Sequence, residues 1–401
     1  MEHLEFRFAG RPGLNRRAEG KLVGVVGSGN LEVLIEPVEG GGECIVTVST
    51  SIAGFGETWR QVLSDFMERH VLSNIRISIN DGGATPAVVS LRLDQSIAVY
   101  LGAPKMTKSY LEAGSRGRIA NLLDVGSFVE FLGPTARVTS PHLPVLDMPI
   151  AFDDGVAVGE GTINGRLVLI AAQEGGFMGG AVGEVHGAKL TGLMQRALDI
   201  KPDAVLLLLD TGGVRLQEAN AGLIAMGEIQ RAVLSVRHAG IPVIALIGGR
   251  NGCYGGLSII ARSCDWIIGS EEGRLSISGP EVIETVEGAE EFDSHDRALV
   301  WRTMGLKHRR LIGEIDRVVG DDITAFRAAA SDYLGRSRDI NLDTLEAEHG
   351  FLARRLKRFE DCRDAREVWA RIGINEPARV PDLDPEPFET LASAIQTDRR
   401  P

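Results

Sequence analysis

The sequence predicts an α/β chain in two units, a small α+β unit in front and a larger one behind whose strands are covered on both faces. Three observations carry this reading. The front quarter alternates short apolar runs with glycine-bearing turns, and from Leu167 onward strand, glycine turn and helix recur in that order. The chain's 401 residues, 44% of them hydrophobic, are enough for two or three separate cores.

In the front unit, apolar runs at 22–26 and 31–35 flank Gly27-Ser28-Gly29-Asn30, the pattern of a hairpin closed by a glycine turn. Residues 44–48 alternate as a strand does. From 58 to 71 the spacing of Trp59, Val62, Leu63, Phe66 and Met67 is helical, with Glu57-Thr58 as candidate cap residues. Residues 75–79 alternate strictly, and Asn80-Asp81-Gly82-Gly83 turns the chain. The run Gly102-Ala103-Pro104-Lys105-Met106-Thr107-Lys108 reads as the end of one polypeptide and the start of another. It divides the chain into units 1–105 and 106–335, followed by a helical extension with a tail, 336–401.

In the rear unit, a strand at 167–171 leads into Gly175-Gly176-Phe177-Met178-Gly179-Gly180 and a helix through Leu198. The strand 205–210 leads into Thr211-Gly212-Gly213 and a helix through His238. The strand 241–247 leads into Gly248-Gly249-Arg250-Asn251-Gly252 and a short helix to Ser263. Strands at 266–268 and 274–277 follow, and Pro280 opens a helix at its favoured first position. Continuously apolar strands separated by helices indicate a sheet buried on both faces. Helical spacing resumes at 342–372, and 376–401, with five prolines, reads as a loose tail or docking arm.

Charge narrows the function. The 43 basic and 55 acidic residues leave a net charge of −12. Such a chain is a poor ligand for phosphate backbones, so nucleic acid is not an expected partner. The acidity sits in the rear: residues 1–105 carry a net −2. The N-terminus lacks the apolar stretch of a signal peptide, and the most apolar run, 205–209, is too short to span a bilayer. Four cysteines without CxxC spacing make neither a disulfide framework nor a zinc site, and a cytoplasmic location is expected.

Each glycine turn stands where a strand ends and a helix begins, a place where backbone N–H groups lack helical partners. Two readings are open. Glycine there serves tight geometry, or it lets a substrate carbonyl approach two amides that act as an oxyanion hole. Gly212 and Gly213 are the stronger candidates for the second role, because they follow the most apolar strand. Gly255-Gly256 reads as close helix packing. Other motifs fail: Gly24-Val25-Val26-Gly27-Ser28-Gly29 lacks the third glycine and the helix of a dinucleotide fingerprint. There is no P-loop, H-E-x-x-H or G-x-S-x-G, and the histidines show no metal-ligand spacing. His186 reads as a packing residue, and Cys253 as either a small core thiol or an activated one.

The ordered motifs Gly175-Gly176-Phe177-Met178-Gly179-Gly180, Asp210-Thr211-Gly212-Gly213-Val214-Arg215-Leu216-Gln217-Glu218, Gly252-Cys253-Tyr254-Gly255-Gly256 and Ser278-Gly279-Pro280-Glu281 resemble the carboxyltransferase β modules of acyl-CoA carboxylases, in the crotonase superfamily. The resemblance spans about 167–319. The zinc ribbon of the bacterial acetyl-CoA carboxylase module is missing, and the nearer match is the β subunit of biotin-independent malonate decarboxylases. The front unit, through Val23-Gly24-Val25-Val26-Gly27-Ser28-Gly29-Asn30, resembles the acyl carrier (delta) subunit of the same complexes.

The resemblance implies an acyl carrier followed by a crotonase-like (ClpP/crotonase) ββα spiral. It implies that Ser28 carries a covalent 2'-(5''-phosphoribosyl)-3'-dephospho-CoA arm of the phosphopantetheine type, on which malonyl and acetyl thioesters ride. Malonyl-S-carrier would lose CO2 as an enolate held by the Gly212 and Gly213 amides, with neither biotin nor metal. Gly179, Gly180, Gly252, Cys253 and Tyr254 would line the substrate pocket, and Tyr254, Cys253 or His186 would supply the proton. The implied partners are a gamma subunit with a second crotonase-like module, an alpha subunit (acetyl-S-ACP:malonate ACP transferase) and an arm-attaching transferase, with no membrane. Two other readings stand beside it: a biotin-dependent acyl-CoA carboxyltransferase β subunit, and a non-catalytic carrier and scaffold.

Overall fold

The computed structural model describes residues 1–10, 19–39, 42–102 and 107–395. The junction expected at Met106 lies outside the described residues. In front, β1 (Glu2–Ala9), β2 (Lys21–Gly27), β3 (Asn30–Pro37), β4 (Glu43–Thr50) and β5 (Ile75–Asp81) make one sheet in the order β1-β4-β5-β3-β2. Only β4 and β5 run parallel. Helices α1 (Gly56–Arg69) and α2 (Pro86–Leu101) cover one face. Trp59, Leu63 and Phe66 of α1 and Leu93, Ile97 and Tyr100 of α2 are buried against Val33, Ile35, Ile77 and Ile79. The expected cap differs: α1 starts one residue before Glu57, behind Phe55, so Glu57 lies in the first turn. A carboxylate there favours the helix through its dipole.

The second sheet has the order β12-β11-β10-β9-β8-β7-β6. It contains β6 (Val129–Phe131), β7 (Val156–Ile163), β8 (Arg166–Gln173), β9 (Ala204–Leu209), β10 (Val243–Ile247), β11 (Trp266–Ser270) and β12 (Arg317–Val319). Strands β8 to β12 are parallel, and β6 and β7 add antiparallel pairing. Every residue of β9 is buried. One face packs on α3 (Ser115–Leu122) and on the later helix of residues 323–331; the other packs on α4 (Glu184–Ile200), α5 (Asn220–His238) and α6 (Gly256–Arg262).

Beyond the sheet come α7 (Pro280–Glu287), α8 (Arg297–Met304), α9 (Leu306–Leu311), α10 (Ile323–Ser331), α11 (Leu342–Phe359), α12 (Ala365–Arg371) and α13 (Pro385–Ala394). The expected strand at 274–277 is not part of the sheet. Its backbone instead bonds to Cys253, Gly255 and Met304, a short ladder that leaves Leu275 buried and Ile277 exposed. The tail expected to be loose is folded through Ile395. Phe388 and Ala392 enter the core, and Glu389 accepts from Arg310 and from the Val318 amide of edge strand β12 (2.6 Å). Pro377 and Pro385 mark helical starts, where a missing N–H costs nothing. Among the described residues, no helix is long and apolar enough to cross a membrane.

Candidate active site at the C-terminal edge of the parallel sheet

Strands β8, β9 and β10 run toward one edge, and the three glycine turns leave from it. Ligands of open α/β sheets bind at this edge. Asp210, the first residue past β9, ties the turns together. It accepts from Arg118 Nη2 (2.9 Å) and from the Asn251 amide (2.9 Å), while its own N–H donates to Gln173 Oε1 (3.0 Å). Asn251 Nδ2 donates to the Gly175 carbonyl at 2.8 Å. A Cβ at Gly249 would stand 2.1 Å from the Asp210 carboxylate, and one at Gly180 would stand 1.8 Å from its carbonyl oxygen. At these two positions glycine serves close packing.

The Gly212 and Gly213 amides do not point freely outward, as the strand-to-helix argument had them. Gly212 N–H donates to the Gly179 carbonyl at 2.8 Å, and Gly213 N–H donates to Thr211 Oγ1 at 3.0 Å. The reason is a second ladder across the strand ends: Thr211 bonds with Gly252 and Tyr254, Cys253 with Arg274, and Val182 with Gly213. Gly212 faces solvent and Gly213 is buried. The Gly213 acceptor is a side-chain hydroxyl and not a ladder carbonyl.

Gly179 and Gly180 lie across this ladder from Gly212, and Gly252, Cys253 and Tyr254 form its next rung. The candidate proton donors are all buried. Burial pushes the Cys253 thiol and the Tyr254 hydroxyl up, and Tyr254 Oη points at Met304 Sδ (3.7 Å). Burial, with Arg215 and Lys189 nearby, pushes His186 well below the usual imidazole range; its Nε2 lies 3.1 Å from Gln173 Nε2.

Arg215 closes the turn from the other side. Fully buried, it donates to both Asp154 oxygens (3.0 Å), to Glu218 Oε1 (2.9 Å), and to the Asp154 and Ala181 carbonyls. Asp154 and Glu218 in turn accept from the first-turn amides of α4, at His186 and Glu184.

The front unit sits on this edge. Val26 is buried with Leu143, Ala151 and Phe177, and Val25 and Met178 pack on the same cluster. A Cβ at Gly27 would touch the Gly176 carbonyl at 3.4 Å, so the hairpin tip rests on the first glycine turn. Ser28 at the tip is exposed, and beside it a Cβ at Gly29 would meet nothing within 4 Å. Polar contacts complete the seat: Glu32 Oε1 accepts from the Phe152 amide (2.9 Å), and Arg137 reaches Glu36 (2.6 Å) and Ser78 (2.9 Å). Burial beside Asp153 pushes the Glu32 carboxyl up to about 8.

Sequence reasoning missed Asp210 as the knot of the site, Arg118 and Asn251 as its partners, and the Asp154–Arg215–Glu218 cluster. A carboxylate straight after a run of leucines was the one available signal, since buried charge demands a partner. Nothing near Arg118 marked it out.

Residues 19–100 match the family described as malonate decarboxylase delta subunit (MdcD), and 112–325 match the carboxyl transferase domain. The malonyl-S-ACP:biotin-protein carboxyltransferase MADC of Malonomonas rubra is 38% identical over 311 residues, 72% of this chain and 97% of that protein. The chain belongs to the malonate decarboxylase family. Its front unit is the family's acyl carrier and its rear unit the crotonase-like carboxyl transferase. The malonate decarboxylase acyl carrier protein of Xanthomonas campestris is 57% identical over 103 residues, 26% of this chain and 98% of the carrier. Among solved structures, a chain of the Pseudomonas malonate decarboxylase hetero-tetramer in complex with malonate superposes with TM-score 0.60. It is 38% identical, with 69% of this chain and 99% of that one covered. Both halves of one enzyme family thus lie in a single polypeptide.

Proposed function

We propose that this chain carries a malonyl thioester on Ser28 and decarboxylates it to the acetyl thioester at the turn formed by Gly212 and Gly213. The observation that carries the proposal is the seating of the Ser28 hairpin on the glycine turn at Gly176, at the edge where the 211–213 turn also stands.

Ser28 fits a covalent arm. Its hydroxyl is exposed, the neighbouring glycine leaves open space, and an attaching transferase meets no wall there. The arm implied by the resemblance, 2'-(5''-phosphoribosyl)-3'-dephospho-CoA in phosphodiester linkage, supplies a thiol for the diacid. The chain's own part is positional and electrostatic. Val25 and Val26 hold the hairpin on Phe177 and Met178 while the tip stays free. As the C–C bond to the terminal carboxylate breaks and CO2 departs, its electron pair moves toward the thioester oxygen. The Gly213 amide, exchanging its Thr211 hydroxyl for that oxygen, supports the charge, with Gly212 beside it. One such donor is worth about 3–4 kcal/mol in the transition state. The α-carbon then takes a proton, with no biotin or metal taking part.

Gly212 and Leu216 (87% exposed) leave the turn open, and Leu223, Ile224, Ile259 and Ile277 around it are exposed too. A gamma subunit with a second crotonase-like module would cover them, an alpha subunit would exchange malonate for acetate, and the assembly would be cytoplasmic. The divisions 1–105, 106–335 and 336–401 remain those proposed for the chain. Intact-mass spectrometry of protein coexpressed with the arm-attaching enzymes tests the carrier role. We expect a CoA-like adduct that Ser28→Ala lacks, and an unmodified mass would remove it.

A second reading has one observation in its favour, the carboxyltransferase activity for which the Malonomonas relative is named. There the carboxyl group would pass to a biotin protein instead of leaving as CO2. Carboxyl label from malonyl thioester appearing on a biotin protein, with avidin sensitivity, would establish it.

A further inference from the structure

Three consecutive buried residues join the carrier's seat to the 211–213 turn. Phe152 N–H donates to Glu32 of the carrier at 2.9 Å. The Asp153 carboxylate accepts from Arg116 Nη1 at 2.5 Å, and its carbonyl accepts from Lys189 Nζ at 2.7 Å. Asp154 pairs through both oxygens with Arg215, two residues past Gly213. Asp154 also holds a backbone φ of +58°, a conformation that a non-glycine residue keeps only when its surroundings over-determine it. A parallel apolar contact runs the same way: carrier Val26 packs on Phe177, and the Arg215 guanidinium lies 5.0 Å over that ring.

We infer that Glu32 is a positioning residue: seated on the core, it holds the Phe152-Asp153-Asp154 segment, which through Arg215 sets the turn at Gly212 and Gly213. Carrier docking and the setting of the site are then one event, so the turn is fully formed only when the carrier is in place. This rests on the proposed reaction for its kinetic test alone.

The charges facing Glu32 explain why its state matters. Asp153 of the 151–155 segment is the nearest negative group. Arg116 of α3, shared between Asp153 and Glu130 of β6, and Lys189 of α4 offset it. On the carrier side Asn80 of β5 donates to the same Glu32 oxygen (2.7 Å), Arg92 of α2 is bound to Asn30, and Glu36 of β3 is bound to Arg137. A neutral carboxyl accepts from both N–H groups without opposing Asp153. An ionised one sits against Asp153 while the nearby Arg116 is already bound to Asp153 and Glu130, which works against seating.

The test uses the full chain, arm attached and assembled with its gamma partner, as wild type, Glu32→Gln and Glu32→Ala. Hydrogen exchange corrected for intrinsic rates is read in peptides covering 151–155 and 211–215 at pH 6.5 and 8.5. Wild type should lose protection in both segments at the higher pH; Glu32→Gln should keep it at both, and Glu32→Ala should lack it at both. Turnover of malonyl-CoA in solution, which needs no delivery by the arm, should fall about tenfold in Glu32→Ala through kcat and not KM, and recover in Glu32→Gln.

Exchange that changes in 151–155 but not in 211–215 overturns the coupling, as does a Glu32→Gln variant that behaves like Glu32→Ala. Wild type that decarboxylates no malonyl thioester sinks the proposed reaction instead, and the exchange result still decides the coupling.

Discussion

Gly29 and Gly180 hold nearly the same positive φ, +69° and +67°, in opposite surroundings. A side chain at Gly29 would meet open space; one at Gly180 would collide with the Asp210 carbonyl. In the carrier hairpin, glycine leaves the space beside the exposed Ser28 open. In the crotonase-like unit, it lets two backbones approach closely enough to share a ladder. One residue type at one dihedral thus serves access in the first place and close packing in the second.

The largest expected effect tests the accessible turn. Ser28→Ala should remove the mass adduct and all turnover of carrier-bound malonate while leaving the melting temperature unchanged; an adduct that survives would place the arm elsewhere. The packed turn should respond through stability. Gly180→Ala should cost more than about 4 kcal/mol in urea unfolding, because backbone cannot yield as a flexible side chain does. Gly29→Ala should cost only about 1–2 kcal/mol, the strain of the left-handed backbone by itself. Equal losses would erase the contrast.

Gly213→Val falls between the two, at a turn that is both packed and proposed to act. Decarboxylation should drop about 100-fold or more while Ser28 stays modified. Unchanged turnover would move the chemistry away from this chain, toward a scaffold role.

The joint between the two regions should be pH-dependent. The Glu32 carboxyl rises from its ordinary 4.5 to about 8 on folding. Its contribution to stability is therefore complete below about 4.5 and lost as pH climbs through 8. Glu32→Gln should match wild type at pH 4.5 and exceed it at pH 8.5 by a few kcal/mol, read from urea midpoints.

Much of this architecture was legible along the chain. The hairpin around Ser28, the alternating strand at 75–79 and the strand–turn–helix repeats all appear, because local periodicity and turn residues set them. The strand at 2–9 was not among the expected elements: it lies at the sheet edge with Phe6 as its one buried residue. The prolines after Glu376 read as disorder, yet Pro385 starts a helix whose Phe388 is fully buried. Composition cannot separate a proline that begins a helix from one that prevents it.

The site divided along the same line. Glycine positions and the exposed serine were visible because they reflect local backbone and exposure. Which contacts are made across the chain was invisible: the Gly212 acceptor Gly179, and the pairings of Arg118 with Asp210, Asp154 with Arg215 and Glu32 with Phe152, join segments up to 120 residues apart.

The order of amino acids alone determined two folding units, the hairpin and the strand–turn–helix repeats within them, the exposed serine and the family kinship, since nearest-neighbour sterics and hydrophobic spacing act within a few residues. Only the folded molecule decided that the serine hairpin rests on the glycine edge, that the Gly212 amide is bound to the Gly179 carbonyl, and that a carrier carboxyl reaches the segment behind it. Hydrogen bonds and buried charges select partners by distance in space, and that distance exists only once both units are packed.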